Sequence, residues 1–129
     1  MGRPPRALIA GGIYHVYNRV ARGAHIFRDE AEAEKFEALV AATKQRDDLQ
    51  ILAWCLMSNH YHLAVRMGEV SLSRSIRFLQ HRFSQSYNGR HRVFGPVWQG
   101  RFRSKFVDDQ EYLRQLIAYI HLNPITAGV

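Results

Sequence analysis

The spacing of apolar residues changes along the chain, and each spacing predicts a kind of element. Over residues 60–67 apolar and polar positions alternate, as they do on a strand with one buried face. Residues 13–20 and 49–57 are also predicted strands, and a short hairpin turn joins the second of these to 60–67. Residues 96–107 are predicted to form a bent strand with a bulge at Gly100.

Three other segments place apolar residues at helical spacing, and each begins at a residue that can cap a helix. The predicted caps are Asp29, with Glu32 at the capping-box position; Ser71 or Ser73; and Asp108, with Glu111 at the box position. The inward-facing residues of the last two helices are predicted to be Leu72, Ile76, Leu79 and Phe83, and then Leu113, Leu116, Ile117 and Ile120.

The order strand, helix, strand, strand, helix, strand, helix predicts an α+β fold. This order corresponds to a ferredoxin-like or RRM-like antiparallel sheet with helices packed mainly on one face. A chain of 129 residues, 47% of them hydrophobic, supports one core, so residues 1–129 are predicted to form a single domain.

Composition excludes several classes of protein. Because Cys55 is the single cysteine, an internal disulfide is excluded and a reducing cytoplasm is expected. The apolar stretch at residues 8–10 is too short for a signal peptide, and no apolar run reaches the 18 residues that suggest a membrane span. We therefore expect a soluble protein without a membrane partner.

Charge points to a polyanionic partner. The chain has 18 Lys plus Arg against 11 Asp plus Glu, a formal net charge of +7. Residues 71–105 contain eight of these cations and no acid. They are Arg74, Arg77, Arg82, Arg90, Arg92, Arg101, Arg103 and Lys105. We predict a DNA-facing surface formed by the second helix and the strand after it, with a merely solvated face as the alternative.

Two fragments carry candidate chemistry. His60 and His62 are two apart on a predicted strand, so both imidazoles point the same way and can hold a divalent cation with a third ligand from elsewhere. Tyr119 and Asn123 are four apart on the last predicted helix, which ends before Pro124, and therefore share one helical face. A phenol and an amide could meet the two imidazoles there, as in a metal-assisted tyrosine nucleophile.

These fragments, taken together, resemble the single-tyrosine HUH (IS200-like) transposase family, and most closely its REP-associated tyrosine transposase branch. The resemblance covers nearly the whole chain in the expected order. It is carried by Gly11-Gly12-Ile13-Tyr14-His15-Val16, by Cys55-Leu56-Met57-Ser58-Asn59-His60-Tyr61-His62, by Trp98-Gln99-Gly100-Arg101-Phe102-Arg103-Ser104 and by the segment from Tyr119 to Gly128.

The resemblance implies a specific activity. Members cleave single-stranded DNA beside a hairpin through a tyrosine that keeps a 5′-phosphotyrosyl link and frees a 3′-hydroxyl, as a step in DNA transposition and recombination. By position, Tyr119 is the nucleophile, His60 and His62 are metal ligands, and Asn123 stands where related transposases commonly have Gln as the third ligand. Mg²⁺ or Mn²⁺ is the expected metal. A monomer or homodimer in the bacterial cytoplasm, associated with the nucleoid, is the expected setting.

Other interpretations of these residues stay open. Tyr112 is a second tyrosine on the same helix, and His15 is either a core-facing histidine bonded to backbone or a residue near the site. Trp98 and Phe102 are expected in the core. A catalytically idle RRM-like protein that binds hairpin nucleic acid is the main alternative function. A cupin-like small-molecule metalloenzyme is less consistent, because three helices interrupt the chain.

Overall fold

An antiparallel sheet of five strands organises the chain. The computed structural model describes residues 10–122 and 126–128. The strands are β1 (Ile13–Arg19), β2 (Gln50–Leu56), β3 (His60–Arg66), β4 (Arg103–Val107) and β5 (Thr126–Gly128), in the order β4-β1-β3-β2-β5. Every neighbouring pair is antiparallel. The predicted fold class is confirmed, and β5, which the sequence analysis does not predict, extends the sheet beside β2.

Three helices cover the two faces of the sheet unequally. They are α1 (Glu30–Asp47), α2 (Leu72–His91) and α3 (Gln110–Leu122). The alternation along β3 separates the faces: Tyr61, Leu63 and Val65 join the core under α1 and α2, whereas Ala64 lies in a second cluster under α3. Two of the three helices therefore share a face, as predicted, and α3 lies on the other one. No helix in the described ranges is long and apolar enough to cross a bilayer.

The core under α1 and α2 is aromatic. Phe83 lies with its ring centroid 5.4 Å from that of Phe27, 5.6 Å from that of Phe36 and 5.8 Å from that of Trp98. Leu72, Ile76, Leu79 and Phe83 are all buried, which confirms the predicted inward stripe of α2. Trp98 and Phe102 are also buried in this core, as predicted. On α3, Leu116 and Ile120 are buried and the rest of the predicted stripe is partly buried.

Polar groups in this core satisfy one another. The Gln80 side-chain oxygen accepts hydrogen bonds from the Tyr61 hydroxyl at 2.6 Å and from the Asn18 amide at 2.9 Å. The buried Ser75 hydroxyl donates to Asp47 at 2.7 Å. Since an unpaired buried polar group is costly, this pairing fixes how β1, β3 and α2 lie against one another.

Two of the predicted caps are confirmed. The Asp29 carboxylate accepts from the Ala31 backbone N–H, and the Ser71 hydroxyl accepts from the Arg74 backbone N–H. The third is wrong by one residue. Asp109 rather than Asp108 caps α3, because it directly precedes the first helical residue and its carboxylate reaches the Tyr112 backbone N–H at 2.7 Å.

Glu32 does not complete a capping box. Its buried carboxylate instead receives hydrogen bonds from the Arg90 guanidinium and from the His91 imidazole at the far end of α2. The ion pair with Arg90 joins the start of α1 to the end of α2. The box prediction fails because a buried carboxylate is stabilised more by a cation than by a backbone N–H.

The predicted strand at 96–107 is shorter than expected. Regular pairing begins only at Arg103, although Trp98 forms an isolated bridge with Val20. Four residues, 99–102, separate that bridge from the Arg103–Tyr17 pair, against two residues, 18–19, on β1. The excess forms a loop at Gly100, whose carbonyl accepts from the Asn18 side chain at 2.9 Å. The irregularity predicted at Gly100 is present, but as a two-residue excess rather than a one-residue bulge.

Candidate active site

The face of the sheet under α3 has a covered half and an open half. The covered half consists of small or apolar residues, including Ala53, Cys55 and Ala64, which let α3 approach closely. The open half carries larger polar residues from two adjacent strands. They are His15, Tyr17 and Arg19 on β1 and His60 and His62 on β3. In the sheet register Tyr17 pairs with His62, and Arg19 pairs with His60.

Tyr119 of α3 lies at the border between these halves. Its ring centroid is 5.5 Å from that of His62, with the ring planes nearly perpendicular at 88°. About half of the tyrosine, 51%, is exposed. The residues predicted as nucleophile and metal ligands therefore lie on one face of the sheet, with His60 and His62 5.1 Å apart between ring centroids. Asn123, the predicted third ligand, lies outside the described residues.

Each of the two imidazoles is held through its Nδ1 atom. The His60 Nδ1 lies 2.8 Å from the side-chain oxygen of Asn59, and the His62 Nδ1 lies 2.9 Å from the Nε2 of His15. Asn59 belongs to the turn at residues 58–59 of the β2–β3 hairpin, which is closed by a hydrogen bond from the Met57 N–H to the His60 carbonyl at 2.8 Å. The rings are thus oriented by an ordered hairpin and by β1.

Burial keeps these imidazoles uncharged. It lowers the pKa of His62 to about 4, and repulsion from His15 and His60, when these are protonated, and from Arg19 acts in the same direction. Burial also lowers the pKa of His15 to about 4, with Lys105 adding to the effect. The pKa of His60 is lowered by burial and by Arg19. At neutral pH the three rings are therefore neutral, which is the state in which an imidazole nitrogen can bind a metal.

This arrangement fits a divalent cation. Two neutral imidazoles are held through Nδ1 on the same face of the sheet, and no described residue forms a hydrogen bond with the Nε2 of either His60 or His62. Two such ligands leave coordination positions for substrate oxygens and water, as catalytic metal sites require. A second group of possible ligands, Asp29, Glu32 and His91, fits a metal poorly because Arg90 already neutralises Glu32.

The predicted DNA-binding cations are divided between the two faces of the sheet. Arg103 and Lys105 of β4 pair with Tyr17 and His15 of β1, so they lie on the same face as the candidate site. With Arg101 they line a cleft of about 1040 Å³ that also reaches Arg19. The others lie on α2 or at its end, on the opposite face, and are Arg74, Arg77, Arg82, Arg90 and Arg92. Arg90 is already paired with Glu32.

Sequence reasoning undervalues β1. His15 is not a core-facing histidine bonded to backbone: it lies on the α3 side of the sheet and contacts His62. Tyr17 and Arg19 follow it on the same face and are not singled out by any motif. The available signal is the alternation with Tyr14 and Val16, which are buried in the opposite core and therefore turn His15 toward the site.

The sequence comparison is consistent with this geometry. Residues 9–123 match the model of the family described as "Transposase IS200 like". The chain therefore belongs to the IS200-like transposase family, a family of enzymes that cut and rejoin DNA. No curated protein sequence matches the chain.

The solved structures that are similar to this chain include a hairpin-bound transposase and a second candidate transposase. A REP-associated tyrosine transposase bound to a REP hairpin has a TM-score of 0.81 and 20% identity, over 97% of this chain and 73% of that one. A candidate transposase from Deinococcus radiodurans has a TM-score of 0.63 and 14% identity, over 93% of this chain and 94% of that one. At these identities the likeness shows a shared fold.

Proposed function

We propose that this protein is a metal-dependent single-stranded DNA endonuclease and strand transferase that acts through a 5′-phosphotyrosine intermediate. In this proposal Tyr119 is the nucleophile, and His60 and His62 are metal ligands. The observation that supports it most directly is the contact between the Tyr119 and His62 rings on an open, basic part of the sheet. The sequence motifs and the net charge suggest this chemistry, and the contact between the two rings is a separate observation in its favour.

The proposed step exchanges one phosphate ester for another. The Tyr119 phenol loses its proton to water and its oxygen forms a bond to phosphorus, while the bond from phosphorus to the 3′-oxygen breaks. That oxygen takes up a proton and leaves as a 3′-hydroxyl. The bond energy is retained in the phosphotyrosine, so a 3′-hydroxyl can later attack it and rejoin a strand without ATP.

His60 and His62 would hold the cation, Mg²⁺ or Mn²⁺, with Asn123 proposed as a third ligand. Bound there, a divalent cation supplies Lewis-acid polarisation of the scissile phosphate and offsets charge in the transition state. The chain's own contribution is to orient the phenol. An unperturbed tyrosine has a pKa near ~10, so only about one molecule in a thousand is ionised at neutral pH, and positioning matters accordingly.

The proposed substrate is single-stranded DNA beside a hairpin. A similar solved structure holds a REP hairpin, and this chain has a cationic cleft next to its candidate site. Arg101, Arg103 and Lys105 would contact the backbone phosphates there. Arg74, Arg77, Arg82 and Arg92 lie on or beside α2 and would be reached only by DNA that passes around the edge of the sheet.

Covalent capture tests this proposal. The protein is incubated with end-labelled hairpin oligonucleotides and Mn²⁺, and an adduct that survives denaturation is sought. We expect an adduct with the native protein and none with Tyr119→Phe. Tyr112→Phe is the matched control, because Tyr112 lies on the same helix but packs against the apolar cluster under α3. It should form the adduct normally.

Two outcomes would contradict the proposal. An adduct formed equally well by Tyr119→Phe would exclude Tyr119 as the nucleophile. Tight hairpin binding by a native protein that forms no adduct under any divalent cation would favour the alternative, a catalytically idle hairpin-binding protein. EDTA is added before the oligonucleotide, and adduct formation and hairpin binding are measured separately. Loss of the adduct while the hairpin still binds indicates a metal requirement rather than a failure to bind.

A further inference from the structure

The two imidazoles of the candidate site share an arrangement that the proposed chemistry does not by itself require. Each has its Nδ1 atom within hydrogen-bond distance of a side chain from a neighbouring segment: Asn59 for His60 and His15 for His62. No described residue forms a hydrogen bond with the Nε2 atom of either ring. In both rings Nε2 is therefore the nitrogen left for a ligand.

A neutral imidazole carries one proton, so a hydrogen bond at one nitrogen decides whether the other has a free lone pair. The Asn59 side-chain oxygen can only accept, so the His60 Nδ1 must be the donor and its Nε2 is left unprotonated. The pair formed by His62 and His15 has two arrangements. Only the one in which His62 donates to the Nε2 of His15 leaves the Nε2 of His62 able to bind a cation.

We propose that His15 is a positioning residue, which accepts a hydrogen bond from the His62 Nδ1 and so fixes His62 in the tautomer whose Nε2 is a metal ligand. Asn59 does the same for His60. The identity of the cation rests on the function proposed above, whereas the tautomer is a property of the metal-free protein. Histidine ligands in metal sites commonly donate their second N–H to such a partner, which orients the ring.

The surroundings of His15 support this role. The ring is half-buried and forms a cluster with two neighbouring rings, with its centroid 4.8 Å from that of Tyr17 and 5.1 Å from that of His62. On either side of it along β1, Tyr14 and Val16 are buried in the opposite core, so the backbone at His15 has little freedom to move. A ring held in this way can fix the orientation of its partner.

The first test measures tautomers in the metal-free protein. Nitrogen-15 NMR of the imidazole rings at neutral pH distinguishes a proton on Nδ1 from one on Nε2. We expect the Nδ1–H form for both His60 and His62. In His15→Phe we expect His62 to shift toward the Nε2–H form that free neutral imidazole prefers. His15→Gln, whose side-chain oxygen can accept, should restore the Nδ1–H form.

The second test measures Mn²⁺ affinity by calorimetry without DNA. Loss of such a partner typically weakens metal binding by about 10–100-fold, and we expect this for His15→Phe and a much smaller loss for His15→Gln. His81→Gln is the control, because His81 is exposed on α2 at the opposite face of the sheet. It should bind Mn²⁺ as the native protein does. If His15 had only a structural role, we would not expect His15→Gln to recover Mn²⁺ affinity and His15→Phe to change the tautomer of His62.

The results separate this inference from the proposed function. An Nε2–H form of His62 in the native protein, or native Mn²⁺ affinity in His15→Phe, would overturn the positioning role even if Tyr119 forms its DNA adduct. Conversely, the expected tautomers together with a native protein that forms no adduct would leave the positioning role standing and remove the proposed reaction. If His15→Phe does not fold, the tautomers of the native protein and the affinity of His15→Gln still decide the question.

Discussion

The two faces of the sheet differ in what their buried residues do. Under α1 and α2, aromatic rings interlock and the polar groups of Gln80 and Asp47 have partners within the core. Under α3, only half of the sheet is covered, and the uncovered half collects histidines, a tyrosine and arginines. The face under α1 and α2 contributes mainly to stability, and the face under α3 leaves polar side chains accessible to a ligand.

The division follows from the alternation of side chains along two strands. On β3, Tyr61, Leu63 and Val65 enter the core under α1 and α2, and the residues between them, His62 and Ala64, lie on the face under α3. A substitution on either strand therefore affects mainly one face. We therefore expect substitutions in the core under α1 and α2 to change mainly stability, and substitutions on the face under α3 to change mainly the proposed chemistry. A single shared core would not allow this separation.

The largest expected effect is on activity, from His60→Ala. We expect adduct formation to fall by at least about 10³-fold, because a lost ligand removes several kcal/mol of transition-state stabilisation. The free energy of unfolding should change little, since the ring lies at the edge of the open face and is only partly buried. Single-turnover rates with labelled oligonucleotide and urea denaturation of the metal-free protein measure the two quantities. A large loss of stability would contradict the separation of the faces.

The opposite pattern is expected from Phe83→Ala. Phe83 is fully buried, at 0% exposure, and contacts four aromatic rings, so its truncation should cost about 3–5 kcal/mol of unfolding free energy. At a temperature where the variant remains folded, its Mn²⁺ affinity should be close to native. Urea denaturation and calorimetry provide the comparison. Weak Mn²⁺ binding in the folded variant would mean that the closed core controls the geometry of the site.

The face of the sheet under α1 and α2 could be predicted from sequence more completely than the face under α3. The stripe from Leu72 to Phe83 and the alternation at 60–67 are local periodic patterns, and the structure confirms both. The position of the α3 cap and the pairing of Glu32 could not be predicted, because each depends on which of several nearby partners a carboxylate reaches. The first choice is made within one helical turn, between two adjacent aspartates, and the second is made by the tertiary contact between α1 and α2.

At the candidate site, a strand period predicts that His60 and His62 share a face, but the partner across the sheet depends on register. The pairing of Tyr17 with His62 brings His15 within reach of the His62 ring, and no spacing in the sequence encodes that register. The division of the basic run is similar: a continuous stretch of sequence passes from α2 to β4 and so from one face to the other.

A smaller effect on stability, dependent on pH, is expected from Glu32→Gln. Burial raises the pKa of Glu32, but hydrogen bonds and charge from Arg90 and His91 outweigh burial and lower it overall. A lowered pKa means that the carboxylate stabilises the fold above its unfolded-state value and loses this contribution as pH falls through the folded-state value. At pH 7 we expect the variant to be about 1–2 kcal/mol less stable, less than for a fully buried pair because Arg90 and His91 are each 38% exposed.

Urea denaturation from pH 7 to pH 3 tests this prediction. The difference between native protein and variant should narrow as pH decreases, because protonation removes the same charge from the native protein. The groups around this carboxylate are Arg90, His91 and Asp29, so Asp29→Asn is the control for general loss of negative charge at the same helix end. A constant difference across the range would show that Glu32 stabilises the fold by packing alone.

The smallest expected effect concerns DNA and compares the two parts of the basic run. Arg103 lies on the open face beside Tyr17, whereas Arg74 is exposed on α2 at the closed face. If DNA follows the cleft beside the site, Arg103→Gln should reduce the slope of log affinity against log salt by about 0.7–1, the value for one phosphate contact, and Arg74→Gln should leave it unchanged. Fluorescence anisotropy over a series of salt concentrations measures both slopes, and Tyr119→Phe protein prevents cleavage during the titration. Equal reductions would mean that the DNA passes around the β4 edge onto α2. Both faces would then contact DNA phosphates, although they differ in their contributions to stability and chemistry.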